Sequence, residues 1–267
     1  METQTTKLIP REIAKADWLE ARFLSEDEQT KYEEVCKRFN LDKARNSLNV
    51  PLQGSNLFKV LLLNQEGIRT ATLPELECAL ENGMDLKGTY EDAPSVILRS
   101  KGDSYAPNDS LAKDLARKLK LRSFKTPKII TGLRIIEDED SDYGLSFDIK
   151  DAQIIEAPDF DSKNHERKFL KINPDYSIEF NDAGKRTFYV KNDGLSRLYL
   201  GRNSSLDSDC SDLAGSSSYG RVVVVSAKGA SQKFLESKLS DLQRDRDEEV
   251  AEINKRYSQA EAILRGK

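Results

Sequence analysis

Residues 177–201 read SIEFNDAGKRTFYVKNDGLSRLYLG. Three runs rich in aromatic and branched side chains are separated by Asn181-Asp182-Ala183-Gly184 and Asn192-Asp193-Gly194. Asx–Gly turns between such runs are hairpin signals, because Asn and Gly tolerate the backbone angles a tight reversal needs. The stretch therefore predicts two consecutive hairpins and, with them, an antiparallel meander.

The same texture extends outward. From 128 to 226 about eight strand-like runs follow one another, at 128–137, 143–149, 152–157, 167–173, 176–180, 186–191, 195–200 and 219–226. That many short strands suggests a sandwich or a barrel. A long Ser/Asp/Gly loop fills 201–220, and Arg221-Val222-Val223-Val224-Val225 has the unbroken apolar character of a strand buried on both faces.

Upstream of Pro127 the pattern is helical. Residues 8–24 carry Pro10 in a first turn and Ile13, Ala14, Trp18, Ala21 and Phe23 on a broad apolar side. Ser25 and Glu28 form a capping box for a helix that places Tyr32, Val35, Cys36 and Phe39 on one face. These two helices are expected to form an antiparallel hairpin. Residues 46–56 read as a connector, and 57–63, LFKVLLL, fit a buried helix or a buried strand equally well. Thr72-Leu73-Pro74-Glu75 opens a helix that Asn82-Gly83 stops, SVILRS (95–100) is a short strand, and Asn108 to Ser110 start another helix.

Downstream, residues 231–265 predict one long helix. Leu235, Leu239, Leu242, Arg246, Val250, Ile253, Tyr257, Ala260 and Leu264 recur at three- and four-residue spacings, heptad-like apart from a stutter between Arg246 and Val250. At about 1.5 Å per residue such a rod would be ~50 Å long. The fold expectation is thus α+β: a helical N-terminal hairpin (1–45), a mixed connector region with a basic helix (46–127), an antiparallel β-domain, sandwich or barrel-like (128–227), and a long C-terminal helix (228–267).

Composition narrows the chemistry. The chain of 267 residues has a net charge of −4, so overall charge does not drive it onto nucleic acid or a membrane surface. No apolar run reaches a bilayer-spanning length, and the opening METQTTKLIP lacks the pattern of a secretory signal. Cys36, Cys78 and Cys210 form no CxxC pair and are expected as reduced thiols of a cytoplasmic protein. His165, the single histidine, lies in a polar turn with no GxSxG elbow in the chain, so histidine-based catalysis and multi-histidine metal sites are not expected.

Other motifs are weak. Gly184-Lys185-Arg186-Thr187 lacks the upstream glycine of a phosphate loop. Asp207-Ser208-Asp209 opens like a calcium loop, but Asp212 and Ser218 stand where a glycine and a bidentate glutamate belong. Glu137 to Asp142, EDEDSD, reads as a charged hairpin tip. Asp159, Glu166 and Lys168 have the residue types of a metal-dependent nuclease, which would use Mg²⁺ to activate water, on an unusually short spacing. Lys113, Arg117, Lys118, Lys120, Arg122, Lys125 and Lys128 form the strongest local charge anomaly, opposed between 111 and 128 only by Asp114. Such a strip can follow a phosphate backbone.

The expectation drawn from these features is a non-enzymatic structural or assembly protein without cofactor, metal or catalytic residues. A component of a tailed-phage particle or a similar symmetric oligomer fits, located in the cytoplasm or the virion. Leu235, Leu239, Leu242, Val250, Ile253, Tyr257 and Leu264 are the expected oligomerisation residues. The alternatives are a nucleic-acid-binding module using 113–128 and, behind it, the Mg²⁺-dependent nuclease.

Overall fold

The computed structural model describes residues 19–99, 106–121, 124–191 and 194–227, and within the C-terminal segment 243, 244, 246, 247, 250, 251 and 253–258. The chain divides into a large unit spanning 21–226 and a small one made of 18–20 with 227 onward.

The local signals for helices are realised in atoms. In α1 (Glu26–Cys36) the Ser25 hydroxyl accepts from the Glu28 amide at 3.3 Å while the Glu28 carboxylate accepts from the Ser25 amide at 3.0 Å. Arg22 grips the same carboxylate with two 2.8 Å bonds, and this guanidinium holds the Glu28 carboxyl down to about 2. The buried face of α1 carries Tyr32 and Val35. A second helix, α2 (Asp42–Leu48), begins inside what the sequence suggests is the approach to a connector. Its start is secured from far away: the Glu137 carboxylate accepts from the amides of Asn40 and Leu41. The acidic run at 137–142 thus supplies a helix cap, a role invisible locally because its partner lies 96 residues upstream.

LFKVLLL is helical: α3 runs Leu57–Gln65, and every residue from Leu57 to Leu63 is buried. Asn56 settles the choice, since its side chain caps the helix by accepting from the Lys59 amide at 2.8 Å. Phe58 meets Tyr143 at 5.2 Å and Phe147 at 6.4 Å between ring centroids. α4 (Leu73–Glu81) has the expected Thr72/Glu75 capping box and Pro74 in its first turn. α5 (Ala106–Lys118) follows β2.

The strands are β1 (Leu19–Phe23), β2 (Tyr90–Leu98), β3 (Lys128–Thr131), β4 (Arg134–Glu137), β5 (Leu145–Asp148), β6 (Gln153–Glu156), β7 (Lys168–Ile172), β8 (Ile178–Phe180), β9 (Arg186–Val190), β10 (Leu195–Leu200), β11 (Leu206–Ser208), β12 (Gly220–Arg221) and β13 (Val223–Ala227). Eight lie in the order β6-β3-β2-β10-β11-β9-β7-β8, with β12 joined to β2, and β4-β5 and β1-β13 pair separately. The result is a mixed α/β unit around one curled, mostly antiparallel sheet, a half-barrel in place of two stacked sheets.

Two expectations are corrected. Residues 19–23, read as the end of a helix, form β1 beside β13, and the Leu24 amide continues the pairing to the Val222 carbonyl at 2.9 Å. The valine strand has backbone groups to satisfy on both edges: the Ala71 amide bonds Val223 from the other side at 2.8 Å. That demand outweighs the weak helical pattern of 19–23, so these residues do not end a helix; residues 1–18, with the rest of the expected first helix, lie outside the described ones.

The second correction concerns the two hairpins. Both neighbours of β9 are other strands: β7 on one side, antiparallel, and β11 on the other, parallel. β7 lies between β8 and β9, and β11, formed inside the expected Ser/Asp/Gly loop, lies between β9 and β10. The turn chemistry is nevertheless real, with the Gly184 amide bonded to Asn181 at 2.8 Å. The turn passes over β7, and a Cβ on Gly184 would stand 2.4 Å from the Phe169 carbonyl. An Asx–Gly turn fixes a reversal; which strand fills the place beside it depends on burial of Phe169, Phe188 and Leu206, each fully enclosed.

Phe58→Ala is expected to lower unfolding free energy by about 3–5 kcal/mol, the range for removing an enclosed aromatic ring, read from urea unfolding followed by circular dichroism. A loss under about 1 kcal/mol would show that α3 is not the packing centre.

Candidate functional site

The C-terminal segment carries three exposed large apolar residues. Helical conformation is described within 243–258, so the expected helix over 231–265 is not shown at that length. Leu235, Leu239, Leu242 and Leu264 lie outside the described residues. Val250, Ile253 and Tyr257 are helical and 49%, 46% and 73% exposed. Their three- and four-residue spacing puts them on one helix face, and Arg246, also helical and exposed, precedes them on the same line.

The basic strip is dispersed by tertiary structure. Lys118 ion-pairs with Asp114 at 2.7 Å and donates to the Phe147 carbonyl at 2.6 Å. Lys128 is buried, paired with Glu156 and set over the Phe124 ring. Arg117 also pairs with Asp114. Lys113, Lys120 and Lys125 are exposed, and Arg122 lies outside the described residues. Lys120 adopts a φ of 58°, in the left-handed region that ends the helix, so its neighbours do not continue one stripe.

The three nuclease-like residues have separate employments. Asp159 sits in the 3₁₀ turn Pro158–Phe160, and its carboxylate accepts from the Ile178 amide at 2.9 Å. Lys168 donates to the Thr187 hydroxyl at 2.6 Å, and Glu166 is solvent-exposed at a φ of 60°. His165 accepts from the Val190 amide through Nδ1 at 3.2 Å. Among the described residues, no group of three or more His, Cys, Asp or Glu side chains is placed to hold a metal ion. Cys36, Cys78 and Cys210 are half-buried, the first two on helices.

The residues that sequence reasoning missed are charges inside strands. Arg197 on β10 donates to both oxygens of the Asp92 carboxylate on β2, at 3.0 and 3.3 Å, and to the Gly215 carbonyl at 2.8 Å. Its Nε reaches Cys210 Sγ at 3.3 Å, and its plane lies 4.9 Å from the centroid of Tyr199. Burial pushes the Asp92 carboxyl up, while Arg197 pulls it back. Beside Tyr199, burial pushes the Asp207 carboxyl up to about 6. Next along β2, Glu91 is fully enclosed; its carboxyl takes a bond from the Thr89 hydroxyl and is pushed up to about 8 by burial. The signal was present, since LSRLYL and YEDAPSVIL each put charge into an otherwise apolar strand, a pattern that requires a buried partner.

Clefts among the described residues include two on the large unit. One, of 480 Å³, lies over the buried Glu77–Arg186 ion pair between α4 and β7–β9. The other, of 440 Å³, is bordered by Arg69, Pro94, Arg134 and Asp151. Neither lining contains a cysteine, histidine or tyrosine. No protein-family model matches the chain, no curated protein matches its sequence, and no solved structure matches its fold.

Glu91 yields a pH prediction. Its folded-state pKa, about 8, stands above the 4.5 of the open chain, so the protonated form belongs to the folded state. Its contribution is complete below pH 4.5 and is lost as pH rises through 8. Glu91→Gln, which keeps the shape without the titration, should raise the melting temperature by several degrees at pH 8.5 and leave it nearly unchanged at pH 4.5. An equal shift at both values would remove Glu91 from the pH response.

Proposed function

We propose that the chain is a non-enzymatic assembly protein, a component of a symmetric particle of the tailed-phage kind, and that its C-terminal helix makes the contact between copies. The observation that supports this reading is the line of Val250, Ile253 and Tyr257, exposed on one helical face. An apolar stripe left in water is a protein-contact surface by the ordinary economy of burial. Within the large unit, buried Arg197 is paired with Asp92 and buried Lys128 with Glu156.

The basic strip weighs less, because Lys118 and Lys128 are committed to partners within the fold. No helix among the described residues is long and apolar enough to cross a membrane. The proposed setting is the cytoplasm or the virion.

Light scattering of the purified chain tests the reading. The parent should show a concentration-dependent mass above that of one chain. Ile253→Asp, which places a charge in the middle of the stripe, should reduce the mass to a single chain with an unchanged melting temperature, since the substitution touches no core residue. A parent that stays a single chain up to high concentration would overturn it.

A further inference from the structure

The guanidinium of Arg186, at the floor of the 480 Å³ cleft, is clamped on three sides. Its Nε donates to the Ser204 carbonyl at 2.7 Å, and its Nη1 donates to Glu77 Oε1 at 2.6 Å and towards the Leu170 carbonyl at 3.4 Å. Its face lies 4.4 Å from the centroid of the Phe169 ring. The pair is enclosed, with the Glu77 side chain 5% exposed and that of Arg186 15%. Yet Glu77 Oε2 and Arg186 Nη2 have no hydrogen-bond partner among the described residues. A charged group buried with one corner unmet is costly. Here the leftover acceptor and the leftover donor belong to one ion pair, and both side chains line one cleft.

We propose that this cleft binds a primary carboxamide on a short aliphatic stem, as in glutamine, the amide N–H donating to Glu77 Oε2 and the carbonyl accepting from Arg186 Nη2. The two corners ask for opposite things. A carboxylate satisfies Arg186 and repels Glu77, and an ammonium or guanidinium does the reverse. A lone hydroxyl has to serve both corners from a single atom. A primary carboxamide is neutral and carries its donor and acceptor side by side in one plane.

The rest of the lining suits such a group. Leu80 and Leu170 supply apolar surface for the stem, Leu170 being 44% exposed. Glu77, Glu81 and Glu179 stand against Lys171 and Arg186, a balance that disfavours an anion. The volume falls within the roughly 300–1,000 Å³ of small-molecule sites. Because Arg186 is fixed by the Ser204 carbonyl and the Phe169 ring, the donor corner is set before any ligand arrives. The site belongs to the large unit and is independent of the assembly reading.

Calorimetric titration of the full chain tests this with three probes: L-glutamine, L-glutamate, and N-acetyl-L-glutamine methylamide, whose backbone charges are capped. L-glutamine should bind at least about tenfold more tightly than L-glutamate, which sets like charge against Glu77. Leu170→Trp enlarges a lining side chain at an exposed position and should weaken glutamine binding at least about tenfold with an unchanged melting temperature. Glu77→Gln turns the acceptor corner into a donor and should reverse the order, favouring L-glutamate. Binding of both amides supports the site and assigns it to a glutamine side chain within a peptide; binding of L-glutamine alone supports it and assigns it to the free amino acid. Neither amide binding up to about 10 mM overturns the proposal. So does L-glutamate binding as tightly as L-glutamine, or glutamine binding that Leu170→Trp leaves unchanged, and these readouts hold even if Glu77→Gln does not fold.

Discussion

The buried pair of Arg197 and Asp92 sits where the two central strands of the sheet change register. Between Arg197 and Tyr199 on β10 the ladder to β2 slips, and Pro94 lies in the slipped part of β2, where its missing amide costs no ladder bond. Two charges removed from water are costly unless every remaining bond is made. Here the guanidinium also takes the Gly215 carbonyl and Cys210 Sγ. The pair therefore specifies more than a strand contact: it holds the 210–215 segment against the sheet. With that segment held, β11 can enter the sheet between β9 and β10.

The same loop is tied from two further directions by polar side chains on helices. Asn56, at the head of α3, donates to the carbonyls of Ser47 and Ala214 at 2.9 and 2.8 Å. Asn108, in α5, donates to Leu195 and Ser211 at 2.9 and 2.6 Å and accepts from the Tyr143 hydroxyl at 2.8 Å. Lys59 works alike on the other side of α3, its ammonium bonding the carbonyls of Pro51 and Gly54 at 2.7 and 3.1 Å, with burial pulling it down to about 7. Irregular backbone enclosed in a protein must find partners for its carbonyls, and these three side chains supply them. Core apolar packing around Phe58 and these polar straps are two halves of one arrangement.

Against that inward-facing chemistry, the small unit is conspicuous. Val250, Ile253 and Tyr257 are exposed large apolar residues, and the arginine on the same line has an exposed neighbour as its ion-pair partner. That exposed face is what supports the proposed contact between copies.

The sequence by itself determined the features whose causes are local. Ser25 with Glu28 and Thr72 with Glu75 start their helices because a capping box needs only four consecutive residues. The change from helix to strand texture at Pro127 and the apolar spacing at 250–257 were legible for the same reason. Tertiary structure decided whatever depends on a distant partner. Residues 19–23 became a strand because Val222 and Val223 needed an edge, and Glu137 became the cap of a helix far upstream. The basic strip looked continuous until Asp114, Glu156 and the Phe147 carbonyl drew Lys118 and Lys128 inward. Turn residues state that the chain reverses, but strand order is set by which apolar faces can be buried together, and that is a property of the whole sheet.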